Sequence, residues 1–475
     1  MTRWSALLCL ILLPVLDGNR ALAEHPPAGK VRIVDRAGED FASIQSAIEA
    51  APGGATVLIG EGRYDERLKI GKPIKLVGAG PDKIIIGPTT EARDAQDEIF
   101  HARMKAIRQE AEARGEPADA RELVALRAAR SVSIVRIENA QGVGLRSLRV
   151  TSPGTPRAGA GLENGFHAIE IKNAGLTMTD CAVVGCLGHG VYAEGESNLA
   201  IDDCLIAACW NTGVKADTIT GRLNIRDSDI RNCLNHNLWL GTVSDTFSIE
   251  GCRISGSGGD ALIFGGQPTI VRNAIFENAF TGIEAIGSAT IKQNLLYKNR
   301  LGVWLRSSEN QSWVSGNLFM ENELCGISTS GMSEPMIRGN VFMGGKSAID
   351  FSPLKSENGV LEPTGKFYIR ENLFWNIDQP VLRNHFEKNN QTRAEIIELP
   401  TNTRNWVEDP RITIDSEGRV VLAETSPARR VDFAGITAAT MKSRWPLTDE
   451  ERAMIPEGRS RDAVKWKLKP AAANR

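Results

Sequence analysis

The sequence predicts an all-β solenoid, a parallel β-helix, and two repeating features carry that prediction. Small or amide side chains recur between Gly165 and Asn376 in steps of 21, 23 or 24 residues, and a strand-like segment accompanies each step. A fixed period of this size is typical of a solenoid in which each repeat contacts only its neighbours. One column of these side chains is Cys181, Cys204, Ser228, Cys252, Asn273, Asn294, Asn317 and Asn340, and the other is Cys186, Cys209, Cys233, Ser257, Asn278, Asn299 and Asn322.

The strand-like segments define which side chains point inward. Each segment carries two residues, mostly apolar, that stand two positions apart, and residues at i and i+2 share one face of a strand. We therefore expect both columns to form the core of the solenoid. The first column is Ile169, Val191, Val214, Leu238, Leu262, Ile283, Val303, Ile327 and Ile349, and the second is Ile171, Ala193, Ala216, Leu240, Phe264, Ala285, Leu305, Thr329 and Phe351.

The Asn and Cys columns are predicted to stack at the turns between strands. Asn tolerates left-handed backbone geometry, and its amide can bond the Asn of the coils above and below. Six of the seven cysteines beyond residue 23 fall in these columns, which favours small buried thiols over disulfides. Bridges from Cys181 to Cys204 or from Cys186 to Cys209 stay open, because equivalent positions on adjacent coils are close enough.

Five parts are predicted along the 475 residues: a signal peptide at 1–23, an N-terminal cap with the first coils at 24–90, a helical insertion at 91–130, β-helix coils at 131–400, and a C-terminal hairpin cap and tail at 401–475. The cap is a short amphipathic helix over Ala42–Ala51, and the insertion is one or two surface helices around Gly115–Pro117. The hairpin spans Arg411–Ser426, and the polar last thirty or so residues are expected to be peripheral.

The N-terminus and the charge balance limit where the protein works and what it binds. Arg3, a short apolar run over Ser5–Leu16 and the small-x-small site Ala21–Ala23 are typical of a secretory signal. The run is too short to span a membrane. A net charge of −2 argues against a nucleic-acid partner. We expect a secreted or periplasmic protein without a membrane span, and a monomer.

The segment Asp40–Gly80 resembles the N-terminal cap and first coils of pectin-lyase-like right-handed β-helix proteins, a superfamily that includes polysaccharide lyases, uronate epimerases, pectin methylesterases and periplasmic carbohydrate-binding relatives. The resemblance extends to about Asn376 and implies a right-handed helix and a carbohydrate partner. Its catalytic motifs are incomplete here. Gly188–Gly190 matches the GHG of polygalacturonases without their NTD and RIK, and Asp260–Gly265 is similar to the esterase DFIFG without its QAVAL and GRPW partners.

The residues that directly follow each inward column point outward, and the face that they form is predicted to be a binding groove. The chain is poor in aromatic residues, at 6%, yet Tyr192, Trp239 and Trp304 share one outward column. Exposed aromatic rings suit the apolar C–H faces of sugars, and a solenoid offers an extended surface to a polymer. An ordinary solvated face is the alternative. The predicted substrate-binding residues are Trp239, Trp304, Glu170, Lys172, Glu284 and Arg306.

The same face could carry catalysis on uronic acids. Lyases and epimerases need a base for the proton beside the carboxylate and a cation that neutralises the carboxylate. The candidates are Lys215, Asp217, Glu194, Tyr192, His189 and His236, with His167, His189 and His236 at the upstream edge of the face. Calcium is a possible cofactor, held by oxygens of Glu170, Glu194 and Asp217. An ion-paired surface cluster is the alternative.

Three functions therefore remain open from the sequence. The first is an enzyme that acts on an acidic polysaccharide by β-elimination or epimerisation. The second is a non-catalytic carbohydrate-binding protein of the envelope, and the third is a structural or adhesin-like solenoid. The arrangement of charge on the outward face separates the first two, because an enzyme needs a base and a cation within reach of one sugar unit.

Overall fold

A computed structural model describes residues 26–34, 40–114, 133–153, 167–241, 243, 247–306, 310–331, 333–356, 359–361, 368–386, 392–396, 403–431, 436 and 441–455. The predicted signal peptide, the second half of the insertion and most of the loop over 151–161 lie outside these ranges. Within them, none of the helices has the length and apolar character that a membrane span requires.

The chain coils through three long sheets whose neighbouring strands are almost all parallel, which confirms the predicted β-helix. Each coil contributes one strand to each sheet in turn. The sheet that carries the predicted face is called sheet I. Its strands are Leu68–Ile70, Val135–Glu138, Ile169–Lys172, Val191–Gly195, Val214–Ile219, Leu238–Leu240, Leu262–Phe264, Thr281–Ala285, Leu301–Leu305, Cys325–Ser330, Ser347–Ser352, Gln379–Phe386 and the antiparallel Thr392–Ile396.

Sheets II and III complete each coil. Sheet II contains Asp40–Phe41, Val31–Ile33, Thr56–Ile59, Lys75–Val77, Val143–Arg146, Gly175–Thr179, Asn198–Asp202, Leu223–Arg226, Ser248–Glu250, Thr269–Val271, Thr290–Lys292, Trp313–Ser315, Met336–Arg338 and Tyr368–Arg370. Sheet III contains Gly62–Tyr64, Ile84–Ile86, Arg149–Thr151, Ala182–Val184, Leu205–Ala207, Asp229–Arg231, Arg253–Ser255, Ala274–Phe276, Leu295–Tyr297, Leu318–Met320, Val341–Met343, Leu373–Trp375 and Trp406–Val407.

Shorter elements lie outside the coils. Two antiparallel hairpins pair Leu354–Ser356 with Gly359–Leu361 and Ile412–Ile414 with Val420–Leu422, the second one within the predicted hairpin. The helices are Ile44–Ala50, Thr90–Ala113, the 3₁₀ turn Pro427–Arg430 and Asp449–Ala453.

The first helix closes the N-terminal end of the solenoid, as predicted. Ser43 caps the helix, and the side-chain carboxylate of Glu66 accepts hydrogen bonds of 2.9 Å from the amides of Ile44 and Gln45. These amides have no partner inside the helix, and a carboxylate at a helix N-terminus also suits the helix dipole. Ile44 and Ile48 are buried against the first coils.

The insertion begins with the helix Thr90–Ala113, capped by the side chain of Thr89. Ile107 and Ala111 on this helix are buried. The helix agrees with the predicted helical insertion, while its predicted continuation past Gly115 lies outside the described residues.

The turn columns stack as predicted. In one ladder the side-chain amide of each Asn donates to the Asn of the next coil, at 2.9 Å from Asn273 to Asn294 and 3.0 Å from Asn294 to Asn317. The ladder continues to Asn372 and Asn405. The seven cysteines of the coils are buried and unbridged.

The predicted reason for Asn at these positions is wrong in one respect. The left-handed residue is the one before the ladder, such as Arg272 at φ 58° or Gln293 at φ 56°, and not the Asn itself. Asn is placed there because its buried amide satisfies backbone groups on neighbouring coils. Asn294, for example, accepts from the amide of Asn273 and donates to the carbonyl of Ile270.

Residues 446–455, the described part of the last thirty residues, are not peripheral, which corrects the expectation from their polarity for that part. Residues 456–475 lie outside the described ranges. The outward side of sheet III is apolar over many coils, so it needs a cover as much as its inward side does. The segment that covers it, residues 403–431, 436 and 441–455, is here called the C-terminal strap. Its contact residues are Ile412, Val420, Ala428, Ile436 and Met441 over the later coils, and Trp445, Leu447, Met454 and Ile455 over Ala182, Val184, Leu205, Ala207 and Ala208.

Candidate functional site

The outward column of sheet I runs in the predicted register along the solenoid. Glu170 pairs with Tyr192, Tyr192 with Lys215, and Lys215 with Trp239 on successive coils. The column continues from Trp239 through Ile263 and Glu284 to Trp304. At about 4.8 Å per coil, the two Trp residues stand roughly 14 Å apart.

Five of the candidate residues form one connected group, here called the Tyr192 cluster, which consists of Lys172, Tyr192, Glu194, Lys215 and Asp217. The Tyr192 hydroxyl lies 3.0 Å from Oε2 of Glu194 and 3.4 Å from Oδ2 of Asp217. Lys215 Nζ is 3.0 Å from Oδ2 of Asp217, and Lys172 Nζ is 2.7 Å from Oε1 of Glu194. A phenol, two carboxylates and two ammonium groups therefore meet on three successive coils.

The charges of the cluster fix the protonation state of its members. Burial, with a further contribution from Glu194, raises the pKa of Tyr192 above its ordinary value. The hydrogen bond from Lys172 lowers the pKa of Glu194. At neutral pH Tyr192 is therefore a phenol that donates its proton to a carboxylate, and Glu194 is ionised.

Lys215 also contacts aromatic rings on both neighbouring coils. Its Nζ lies 5.7 Å from the ring centroid of Tyr192 and 5.2 Å from that of Trp239. A cation within about 6 Å of a ring centroid is attracted by the ring electrons. Lys215 therefore links the Tyr192 cluster to the first of the predicted aromatic platforms.

His189 does not lie at an accessible edge, which corrects the sequence-based expectation. His167 and His189 are 5% and 3% exposed. Their rings stack on each other at 5.0 Å, and both stack with the ring of Tyr192. Burial lowers the pKa of His167 to about 4 and that of His189 to about 3, so both are neutral at pH 7. They support the Tyr192 ring from below and are out of reach of a substrate.

His236 lies further along the face, beside Trp239, with ring centroids 5.4 Å apart in an edge-to-face arrangement. Its Nδ1 accepts a hydrogen bond of 3.2 Å from the amide of Asp260. Burial lowers the pKa of His236, and the neutral ring carries its proton on Nε2 because Nδ1 is the acceptor. His236 thus lies on the coil of Trp239, one coil beyond Lys215 of the Tyr192 cluster.

Glu284 was predicted to bind substrate, but the structure buries it. It points outward by its position in the strand, yet it is only 4% exposed. Arg306 Nη1 lies 2.7 Å from its Oε1, and the guanidinium carbon of Arg306 lies 5.2 Å from the ring centroid of Trp304. Burial raises the pKa of Glu284, and the Arg306 hydrogen bond opposes that shift. Trp304 itself is half-buried and donates from Nε1 to Ser330.

Two residues near the face were not among the candidates. Asp260 is buried beside His236, and burial raises the pKa of its carboxyl group. It occupies the coil position that holds His189 and His236 on other coils, which is the signal that could have identified it. Ser133 donates to Oε2 of Glu170 at 2.7 Å, and it belongs to a coil that precedes the repeats between Gly165 and Asn376.

The carboxylates proposed for calcium do not fit a calcium site. Glu170 is held by Ser133, Glu194 by Lys172, and Asp217 by Lys215. Across the described ranges no group of three or more His, Cys, Asp or Glu side chains is arranged to hold a metal ion. The ammonium groups already supply the positive charge that a cation would bring to this face.

Comparison with known proteins identifies the family. The family model for the right handed beta helix region matches residues 134–247 and 241–381, which together are more than half of the chain. The chain belongs to the right-handed β-helix family. No curated protein matches it.

Several solved structures are similar to this chain at low sequence identity. The A-module of a mannuronan C-5 epimerase from Azotobacter vinelandii is 13% identical, with a TM-score of 0.45, and the match covers 77% of this chain and 93% of that one. The Dettilon tailspike protein is 14% identical, with a TM-score of 0.39 and coverages of 67% and 60%. The catalytic domain of a GH87 alpha-1,3-glucanase is 11% identical, with a TM-score of 0.35 and coverages of 74% and 60%. At these values the activities of those proteins do not transfer to this one.

Proposed function

We propose that this β-helix protein binds an acidic polysaccharide along the outward face of sheet I and acts on its uronate units by β-elimination or epimerisation. The observation that carries the proposal is the Tyr192 hydroxyl, which lies within 3.4 Å of the carboxylates of both Glu194 and Asp217, with Lys215 on the next coil. A proton-transfer group and a cation thus stand about one coil apart, roughly 4.8 Å, within reach of one sugar unit.

In the proposed reaction Lys215 neutralises the carboxylate of the bound uronate, which makes the C5 proton easier to remove. The proton passes from C5 to Oη of Tyr192 while the phenolic proton passes to Glu194 or Asp217. The raised pKa of Tyr192 keeps it protonated, so it relays a proton and does not act as a phenolate. In β-elimination the C5–H electron pair forms a C4–C5 double bond as the C4–O bond breaks, and the departing O4 takes a proton from water. In epimerisation the electron pair is held on the uronate carboxylate as an enolate, and C5 then takes a proton from water on the opposite face.

The remaining parts of the face would position the polymer. Trp239 is 39% exposed and offers a platform beside Lys215. Trp304 stands roughly 14 Å further along, a span of about two to three sugar units. Arg306 lies over the Trp304 ring and is well exposed, so it can meet a second carboxylate of the same polymer.

A non-catalytic carbohydrate-binding protein is the second candidate, and one observation favours it. Lys172, Lys215 and Arg306 each already pair with a carboxylate of the same face. The face is therefore close to charge balance, and a uronate carboxylate has to share or displace one of these partners. A binding protein can bind with modest affinity while its cations keep part of their pairing with these carboxylates. An enzyme needs the uronate carboxylate to take the place of Asp217 at Lys215.

The proposal also places the protein outside the cytoplasm, in the periplasm or secreted, and as a monomer. The support for export is the signal-like segment at residues 1–23, in which a positive start precedes a short apolar run and a small-x-small site.

Incubation of the purified protein with uronate polymers in deuterated water tests the function. Absorbance near 235 nm detects the unsaturated product of β-elimination, which has no hydrogen at C5. NMR detects the deuterium that epimerisation places at C5. We expect Tyr192→Phe to lower turnover by about 100-fold or more with little change in binding. Lys215→Ala should lower turnover as well. Lys298→Ala is the matched control, because Lys298 lies 4.8 Å from the Tyr297 ring centroid on sheet III.

The outcomes separate the candidates. Turnover that depends on Tyr192 supports the enzyme. Binding without product or deuterium uptake refutes the enzyme and supports the binding protein. If Trp239→Ala and Trp304→Ala bind as the wild type does, instead of losing about 1–3 kcal/mol each, sheet I is not the binding face.

A further inference from the structure

A second row of exposed apolar side chains lies on sheet II, away from the proposed site. Trp313, Met336 and Tyr368 occupy the same outward position on three successive coils. They are 49%, 40% and 41% exposed, so each is at least as exposed as Trp239, at 39%. At about 4.8 Å per coil the row is roughly 10 Å long. These three residues are here called the Trp313 row.

A parallel row of positive charge runs beside the Trp313 row. Two positions later on the same strands, Ser315 pairs with Arg338 and Arg338 with Arg370. The Arg338 Nε donates to Oε2 of Glu371 at 2.8 Å, which orients its guanidinium. The Arg370 side chain forms no hydrogen bond or ion pair with another described residue. Met336, Arg338, Tyr368, Arg370 and Glu371 line an open depression of about 380 Å³.

We propose that the Trp313 row and its two arginines form a second binding site, for an acidic oligosaccharide segment. Sugar rings would lie on Trp313 and Tyr368, whose flat surfaces match apolar C–H faces. Carboxylate or sulfate groups of the same chain would meet Arg338 and Arg370, which stand about one coil apart and can each form two parallel bonds to two oxygens of one anionic group. Within the depression itself two arginines face one carboxylate, that of Glu371, so the charge there favours an anionic ligand.

The shape of the surface favours a thin chain over a protein partner. The exposed apolar row is one residue wide, with Gln311 and Glu334 on the side opposite the arginines. A stable protein interface buries about 800 Å² on each partner, usually around a wider apolar centre. This site goes beyond the function proposed for sheet I and does not depend on turnover there.

Calorimetric titration of the full-length Tyr192→Phe variant with a purified hexagalacturonate, and with neutral maltohexaose for comparison, tests this site. We expect the double substitution Trp313→Ala/Tyr368→Ala to raise the dissociation constant of one class of hexagalacturonate sites by about tenfold or more, or to abolish binding there. Arg370→Ala should weaken hexagalacturonate without affecting any binding of maltohexaose. Thr177→Ala, exposed on sheet II several coils away, is the control and should bind as its parent does.

The results also distinguish this site from sheet I. Loss of sites in Trp239→Ala alone, with the Trp313 variants unchanged, overturns the second site and leaves the first. Loss in the Trp313 variants alone supports the second site even if sheet I binds nothing. Light scattering gives a further check. A wild-type dimer that the double variant converts to a monomer would show that the Trp313 row holds a second copy of the chain, which would overturn the proposal.

Discussion

Removing one rung of the asparagine ladder should destabilise the solenoid more than its small size suggests. Asn294 is fully buried and makes five hydrogen bonds through its side chain. Asn294→Ala removes the acceptor for the backbone amide of Asn273 and the donor for the carbonyl of Ile270. A buried donor without a partner costs about 1–3 kcal/mol, and the other lost bonds add to it. We expect a total loss of about 3–5 kcal/mol.

Two further variants serve as references for the loss of unfolding free energy in Asn294→Ala. Thr290→Ala changes an exposed side chain on the neighbouring strand and should cost less than about 0.5 kcal/mol. Asn294→Ser keeps an acceptor, as Ser228 does when its hydroxyl accepts from the amide of Cys204 at 3.1 Å. Its loss should therefore fall between the other two.

Urea denaturation followed by circular dichroism measures these differences, and hydrogen exchange locates them. The amide of Asn273 should lose protection first in Asn294→Ala. If Asn294→Ala and Asn294→Ser unfold within about 1 kcal/mol of the wild type, the ladder is not a source of stability and the reasoning from unsatisfied buried groups fails.

Three other outcomes are expected. Leu238→Asp puts an unpaired charge into the core, so it should lower the unfolding free energy by several kcal/mol; a wild-type melting curve would show that Leu238 is not inward. His167 and His189 have pKa values of about 4 and 3, against an ordinary 6.5, so both are neutral in the folded protein above pH 7 and the unfolding free energy is then at its full value. As the pH falls below 6.5 the unfolded state binds protons that the folded state does not, so the unfolding free energy should fall by roughly 2 kcal/mol per histidine at pH 5. His189→Gln should make this pH dependence weaker, and an unchanged pH profile in that variant would contradict the prediction. Burial raises the pKa of Cys252 to about 12, so native thiols should resist alkylation at pH 8 and react fully after denaturation; bridged cysteines in the mass spectrum would oppose this.

The solenoid itself could be predicted because each coil repeats the same pattern of inward apolar residues and turn residues. The period-two columns of sheet I fix which residues point inward, and the register follows from the repeat length alone. The outward row from Tyr192 to Trp304 is therefore aligned in the structure as the sequence indicates. What the repeat does not contain is the conformation of long side chains. Arg306 pairs with the buried Glu284, and neither this ion pair nor the burial of the carboxylate follows from the strand pattern.

The burial of the histidines could not be predicted from the repeat either. His167 and His189 precede their strands by two residues, a position that the repeat leaves between strand and turn. Whether such a ring lies in solvent or beneath a neighbour depends on what the adjacent coil presents. Here Tyr192 lies over both rings, so they are buried and neutral. The cover of sheet III was also missed, because its two apolar sides become visible only when the short strands are assigned to a sheet.

The C-terminal strap changes how the whole molecule can come apart. A simple stack of coils is held only by contacts between neighbours, so it can open at one end or in the middle without disturbing the rest. The strap contacts coils as far apart as those of Leu373 and Ala182, and Met454 packs directly against Gly185. Opening any coil between them strains or detaches the same continuous segment. The strap therefore links coils that do not contact each other directly, and we expect these coils to unfold together.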